Sequence, residues 1–280
     1  MSKQPNKNLR LISCDLNGTL VHQHTMMDIL RWGFPDEPER FKKAKDAFIQ
    51  QTSGRLSIKE AFAIAGPLTR GLSLRKAITY TTTEMKFLAG FELFISTLYE
   101  KKIYFVINST GYSVTTEVIR ALYGKEKIYA TICNQLIFGW KGNKNKVIKD
   151  EELSHLIFNY FRGQEQEKIY DDLQAVGEVE LVIGDENEKA NRIFDLAKDL
   201  KIPRDLIAHI GDSMGDSGGI VEVARNGGFG IAFNYNLALK NYLEEVLRNE
   251  PLRGKIILIE PKKDTSHLQN LLSALLPYLP

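Results

Sequence analysis

Asp15, Ser109, Thr110, Lys189, Asp212 and Asp216 are the residues of this chain whose types and spacing could do chemistry together. The apolar run Leu11-Ile12-Ser13-Cys14 leads into Asp15-Leu16-Asn17-Gly18-Thr19, a strand that ends at a carboxylate and turns through a glycine. Open α/β sheets bind ligands at the carboxyl ends of their strands. A carboxylate held there can ligate a metal or attack an electrophile such as phosphorus. Ile103-Tyr104-Phe105-Val106-Ile107 ends at Asn108-Ser109-Thr110-Gly111, just before a helical stretch from Val114 to Leu122. Hydroxyls and backbone N–H groups at a helix N-terminus, from Ser109 through Gly111, form a phosphate cradle. Lys189 opens another helix and offers a point charge. Leu206 to Ile210 runs into Gly211-Asp212-Ser213-Met214-Gly215-Asp216. Three carboxylates with a lysine and a hydroxyl suit magnesium and phosphate better than zinc. Magnesium is hard, prefers oxygen, and often takes one or two carboxylates plus substrate phosphate.

These turns need elements to hold them. Residues 9–14 read as a buried strand. Residues 22–85 read as helical, with breaks at Trp32-Gly33-Phe34-Pro35, Gly66-Pro67 and Gly71. Ser57 and Glu60 have capping-box spacing. Phe91–Tyr99 suits a helix, and Ile128–Phe138 a strand or hairpin arm closed by Gly139 and Gly142. Glu151–Tyr160 reads as helix, continuing as helix to Val176 after a break at Gly163. In Glu188–Leu200, Ile193, Leu196, Ala197 and Leu200 form one stripe. Phe229–Phe233 and Ile256–Ile259 are strands, and Leu268–Leu276 is a closing helix. Alternating strands and helices predict an α/β fold, a doubly wound and mostly parallel sheet covered on both faces. The helical stretch after the first strand is predicted to be an insertion.

The 280 residues suffice for one large domain or two smaller ones. A net charge of +2 gives no reason to expect nucleic acid or an anionic membrane as partner. The run Lys141-Gly142-Asn143-Lys144-Asn145-Lys146 reads as a solvated loop. Two distant cysteines, Cys14 and Cys133, make neither a disulfide framework nor a zinc pattern. No run approaches transmembrane length, and Met1–Arg10 lacks the apolar core of a signal peptide. A reducing, cytoplasmic setting is the expectation, with a small phosphorylated molecule as partner. The sequence does not set an oligomeric state.

In order along the chain, Asp15-Leu16-Asn17-Gly18-Thr19, Asn108-Ser109-Thr110-Gly111, Lys189 and Gly211-Asp212-Ser213-Met214-Gly215-Asp216 resemble the four motifs of the haloacid dehalogenase-like hydrolases. The phosphoserine phosphatase-like branch is nearest, and Cys133-Asn134-Gln135-Leu136 is similar to a short element of that branch. The resemblance covers roughly 9–20 and 86–260. It implies a Rossmann-like core of residues 1–20 and 86–280, with a helical cap of residues 21–85 that closes over the site and selects the leaving group. It implies that Asp15 attacks phosphorus to give an aspartyl-phosphate, which water then hydrolyses. Mg²⁺ would be held by Asp15, the Asn17 carbonyl and Asp212. Asp216, counted with the metal residues, would stand just behind, orienting Lys189 or a metal-bound water. Ser109 and Lys189 would bind the transferring oxygens, and Thr19 would support the turn. The stretch 150–175 is longer than a compact phosphatase core needs.

Asn17 departs from the pattern, which has a second aspartate there to protonate the leaving group and later activate water. An amide cannot shuttle that proton. Three readings stay open: an enzyme that handles good leaving groups or uses another acid, an inactivated variant, or a degenerate protein that binds phosphate. His22 and His24 follow the first motif and could border the site; the favoured reading puts them at the exposed start of the cap. A glutamate that reads the substrate ammonium in phosphoserine phosphatases is absent near His24, and the cap arginine of that branch has no clear counterpart. Asp185-Glu186-Asn187-Glu188 reads as the acidic start of a helix, near its positive dipole end. Trp32, Phe34 and Phe41 are core or pocket residues. A rival reading takes Gly211-Asp212-Ser213-Met214-Gly215 as the nucleophile elbow of a serine esterase, with Asp264 and His267 following. It leaves Asp15, Ser109 and Lys189 without a role.

Overall fold

Apolar runs of four or five residues between turn signals build the centre of the protein. A computed structural model describes residues 8–260 and 267–280. Its strands are β1 (Leu11–Cys14), β2 (Tyr104–Tyr112), β3 (Ala130–Trp140), β4 (Asn143–Val147), β5 (Leu173–Glu180), β6 (Ile207–Gly211), β7 (Phe229–Phe233) and β8 (Lys255–Ile259). Every residue of β1 is fully buried, as expected of a strand with parallel neighbours and helices on both faces. The sheet order is β4-β3-β2-β1-β6-β7-β8, and β5 also pairs with β3. From β3 across to β8 all pairings are parallel, while β4 and β5 run antiparallel to the second half of β3. Strand order reverses between β1 and β6, so the turns after these two strands border the crevice where doubly wound sheets bind ligands.

Helices α1 (Thr25–Gly33), α2 (Pro38–Thr52), α3 (Ile58–Ala65) and α4 (Leu74–Thr79) lie between β1 and β2. The others are α5 (Phe91–Glu100), α6 (Ser113–Tyr123), α7 (Asp150–Asn159), α8 (Ile169–Asp172), α9 (Glu188–Asp199), α10 (Ser217–Arg225), α11 (Leu237–Asn249) and α12 (Leu268–Leu275). The capping box predicted for Ser57 and Glu60 forms at the start of α3. One face of the sheet, through Ile12, Cys14, Phe105 and Ile107, packs on α5 and α12. The other, through Leu11, Val106 and Ile207, packs on α9. The fold is therefore α/β, doubly wound and mostly parallel. Among the described residues no helix is long and apolar enough to cross a membrane.

Two local expectations are corrected. Helix does not continue to Val176: α7 ends in a wide turn at Tyr160–Gln164, α8 is a single turn, and residues 173–180 form β5. Leu173 and Ala175 point inward while Glu178 is exposed, the alternation of a strand covered on one face. Only the distant partner β3 makes that pattern visible, since glutamates at 178 and 180 favour helix locally. The lysine-rich run 141–146 is likewise more than a loop, because its second half enters the edge strand β4. Lysine on an edge strand discourages pairing with other chains.

The stretch 135–180 has a structural task. Met26, Phe48, Phe62 and Ile78 from α1–α4 share one apolar cluster with Leu136, Phe138, Ile157 and Leu173. Backbone bonds join the two segments: Gly71 N–H donates to Ala175 O (2.9 Å) and Ala175 N–H to Leu72 O (2.8 Å). Arg75 fastens them with Nε on Asp171 Oδ1 (2.8 Å), Nη2 on Glu167 O (2.9 Å) and Nη1 on Glu165 O. The helices after β1 thus rest on a buttress built from β3, β5 and α7. Arg75→Ala is expected to lower unfolding free energy by about 1–2 kcal/mol, mostly from the lost carbonyl bonds. A urea midpoint equal to the parent's would contradict the clamp.

Candidate active site

The turn after β1 starts from one more sheet bond, Asp15 N–H to Ile210 O (2.9 Å), which places the Asp15 side chain at the strand end. Asp15 is only 5% exposed yet lines a cavity of about 200 Å³. The chain then reverses through Gly18, whose φ is +75°. A Cβ at this position would run into the Asp212 carboxylate, so both the backbone angle and the space require glycine. Thr19 Oγ1 donates to Asp212 Oδ1 at 3.4 Å and ties the first turn to the turn after β6.

Lys189 lies in the first turn of α9 and is 1% exposed. Its ammonium donates to Asp15 Oδ1 (2.8 Å) and to Asp216 Oδ1. Asp216 Oδ2 accepts the backbone N–H groups of Asp212 (3.1 Å) and Ser213 (3.3 Å). Both oxygens of Asp216 are therefore engaged within the protein. Oδ1 is the oxygen that meets Lys189, and Oδ2 the one held by the turn.

Carboxylate oxygens of Asp15, Asp212 and Asp216 lie within 4.8 Å of one another. Burial pushes Asp15 up to about 6, against the pull of Lys189. Burial, with Asp216 and Asp15 close by, raises Asp212 well above the carboxylate range. Burial would raise Asp216 too, but Lys189 and His209 outweigh it and hold it low. For Lys189 the two carboxylates overcome burial and hold the ammonium above the ordinary lysine range. Three carboxylates face one ammonium, so the fully ionised cluster is two positive charges short. An all-oxygen donor set with that deficit fits a hard divalent cation.

Asn17 lines the cavity, and its Oδ1 accepts the N–H of Thr25, the first residue of α1, at 2.8 Å. The cradle expected at Ser109–Gly111 is built differently. β2 stays extended through Tyr112, with a register shift against β3 after Ser109, so α6 begins only at Ser113. Ser109 is fully buried, and its Oγ accepts the Gly111 N–H at 3.1 Å. The Ser109 hydroxyl also acts with Lys189 to favour ionised Asp15. Thr110 lines the cavity; Ser109 and Gly111 stand behind it.

No family model and no curated protein matches the chain. Solved structures do. A phosphoserine phosphatase described as a phospho-aspartyl intermediate analogue aligns with TM-score 0.65 at 19% identity, over 98% of this chain and 100% of that one. A HAD family hydrolase from Salmonella enterica serovar Typhi aligns with TM-score 0.61 at 16% identity, over 85% of this chain and 67% of that one. A phosphoserine phosphohydrolase-like protein from Francisella tularensis aligns with TM-score 0.56 at 13% identity, over 95% and 99%. The chain has the phosphoserine phosphatase fold.

Within this fold the site holds residues that sequence reading passed over or placed elsewhere. His22 and His24 both border the cavity; His22 is exposed, and His24 is half-buried. The His24 ring lies 5.0 Å from that of Phe48, and burial lowers its pKa to about 4, so it is neutral. Gln51 and Thr52, at the end of α2, also line it, as does Asn236 beyond β7. Asn236 Nδ2 donates to Thr52 O at 3.3 Å, joining the two walls. A signal for Asn236 was present: Phe233-Asn234-Tyr235-Asn236 is a fourth polar turn after a strand. Gln51 gave none, since a glutamine near a helix end is ordinary. Trp32, Phe34 and Phe41 do not line the cavity; Trp32 is exposed, and Phe34 packs under the Arg40 guanidinium. In the esterase reading Ser213 would be the nucleophile, but its Oγ accepts the Asp216 N–H in a capping box. His267 opens α12 on the opposite face of the sheet, and Asp264 lies outside the described residues.

Removing the ammonium would leave Asp15 and Asp216 buried without their counter-charge. Lys189→Met is therefore expected to cost about 3–5 kcal/mol of stability at pH 7. Asp216, held low in the fold, contributes stability above the unfolded carboxylate pKa and loses it as pH falls. Parent and variant should thus draw together on acidification, because a protonated carboxyl needs no cation. Urea unfolding at pH 7 and at lower pH measures the gap, and a gap that widens in acid would refute this account.

Proposed function

We propose that the chain is a phosphomonoester hydrolase that uses Asp15 as its nucleophile. The observation carrying this is the buried Asp15–Lys189–Asp216 arrangement at the strand-order reversal, beside Asp212 and two positive charges short. The phospho-aspartyl description of one structural neighbour agrees with it. Mg²⁺ would be held by Asp15, Asp212 and the Asn17 carbonyl, and when bound it neutralises phosphate charge. Lys189, fixed by Asp216, keeps Asp15 oriented and stabilises the transferring oxygens. An Asp15 oxygen forms a bond to phosphorus as the ester oxygen departs with its electron pair. Water then cleaves the aspartyl-phosphate, and the sum is alcohol plus inorganic phosphate.

The leaving group is the other half of the substrate. The wall from residues 22–52 consists of His22, Gln23, His24, Met26, Gln51 and Thr52. Among the described lining residues it adds no carboxylate, lysine or arginine to the catalytic cluster. A charged leaving group would be desolvated there without a counter-charge, which is costly. Gln51 is 5% exposed and offers an amide instead. A cleft of about 200 Å³ suits a small phosphate ester. The substrate class is accordingly a small phosphomonoester with an uncharged, hydrogen-bonding leaving group. Gln51→Leu is expected to lower kcat/KM for such esters by roughly 3–10-fold, the worth of one hydrogen bond. Equal effects on esters with and without hydroxyl groups would argue against this role.

A second reading, a phosphate binder with little turnover, is favoured by Asn17, whose amide bonds Thr25 and carries no proton. An aspartate at 17 keeps the acceptor for Thr25 and adds a proton carrier. A phosphate-ester panel with Mg²⁺ on the parent chain, Asn17→Asp and Asp15→Asn separates the readings. Turnover abolished by Asp15→Asn and raised by Asn17→Asp, by up to about 10²–10⁴ for poor leaving groups, is the expected result. No turnover in any form, with neither phosphate nor metal bound, would overturn both.

A further inference from the structure

Behind the site, three adjacent strands place polar side chains where a sheet covered by helices normally places apolar ones. Leu11, Val106 and Ile207 form the apolar layer against α9. Two residues further along the same face come Ser13, Asn108 and His209, each 0% exposed. Ser13 and His209 are register partners across β1 and β6.

The three side chains form one connected set. Asn108 Nδ2 donates to Ser13 Oγ at 3.0 Å and to the backbone carbonyl of Lys189 at 2.9 Å. Ser13 Oγ lies 2.9 Å from His209 Nδ1. With Ser13 accepting from Asn108 and donating to Nδ1, the ring proton sits on Nε2. That nitrogen is buried without a hydrogen bond and faces Asp216 Oδ1 across 3.5 Å, the oxygen that also receives Lys189. Lys189 is in turn held at its ammonium by Asp216 and at its carbonyl by Asn108. Space for the ring comes from Gly219 in α10, where a Cβ would lie 2.6 Å from His209 Cδ2 and Nε2. A glycine inside a helix costs about 1 kcal/mol relative to alanine, and here it admits an imidazole into the core.

We propose that His209, locked by Ser13 and Asn108, is a positioning residue that fixes Asp216 and through it the Lys189 ammonium beside Asp15. The proposal rests on the reading of Asp15 and Lys189 as a phosphate site. It does not place His209 in contact with substrate.

The test compares full-length His209→Gln, His209→Asn and His209→Leu, each alone and with Asn17→Asp. Readouts are kcat and KM for a phosphate ester, affinity for inorganic phosphate with Mg²⁺, and Tm. A glutamine N–H reaches about as far as Nε2, whereas an asparagine N–H reaches only as far as Nδ1. The expected result is kcat near the parent's for Gln and a loss of roughly 10–100-fold for Asn and Leu, as for other groups that orient a functional side chain. Phosphate affinity should fall in the same order, whereas Tm need not follow it. Equal kcat for Gln and Asn, or losses that track Tm alone, would overturn the proposal. If the Leu variant fails to fold, Ser13→Ala removes the lock and leaves the ring. A several-fold fall in its kcat and phosphate affinity supports the proposal, and no change in either overturns it. If no form turns over but phosphate affinity keeps the predicted order, the hydrolase reading falls and this one stands.

Discussion

The structure depends on one buried ammonium held between two carboxylates. Lys189 reaches Asp15 and Asp216 with almost no access to water. Desolvating such ions costs several kcal/mol each, and their attraction offsets this only when the remaining hydrogen-bonding capacity is met. Here it is met by the fold itself. The strand order puts the ends of β1 and β6 side by side, so Asp15 and the Asp212–Asp216 turn arrive together. Backbone N–H groups of that turn occupy the far oxygen of Asp216. The first turn of α9 delivers the lysine from above the same strand ends. A buried charge cluster of this kind is weak evidence for stability and stronger evidence for chemistry, since apolar residues would pack the same space at lower cost.

The helices after β1 belong to the same construction. They are clamped to β5 through residues 70–72 and to α8 and the turn before it through Arg75, and the end of α2 reaches the site through Thr52 and Asn236. Asn17 is the joint between the two parts, bonding the catalytic turn to the first N–H of α1. The shape of the cavity is therefore set jointly by the sheet, these helices and the buttress from 135–180. The length of that stretch follows from the apolar face it covers and needs no separate lid.

What could be read from the sequence was whatever repeats locally. Asp15, Asp212 and Asp216 stand in turns that follow apolar strands, whereas Lys189 stands at a helix start and was picked out by its spacing to Asp212 within the family resemblance. The doubly wound sheet followed from the alternation of those patterns. β5 was hidden because its evidence lies in the pairing Leu136↔Val179 and Phe138↔Ala175, which no local window contains. Ser109 was read as a helix-start ligand because the register shift that keeps β2 extended is set by β3. Ser13, Asn108 and His209 look like ordinary polar residues until three strands are aligned and all point to one face. Gln51 is placed by tertiary packing alone.

Asn17 then becomes a statement about the leaving group. The amide keeps the bond to α1, so the turn is held as an aspartate would hold it. What it lacks is a proton, and general acid–base help is worth about 10²–10⁴ in rate, or roughly 3–5 kcal/mol of barrier. That deficit is felt only where the departing oxygen needs protonation. An alcohol of high pKa carries it in full, whereas a group that leaves as a stable anion carries little of it. On the proposed hydrolase reading, the leaving groups best served by this site are therefore those whose own electronics stabilise the departing oxygen.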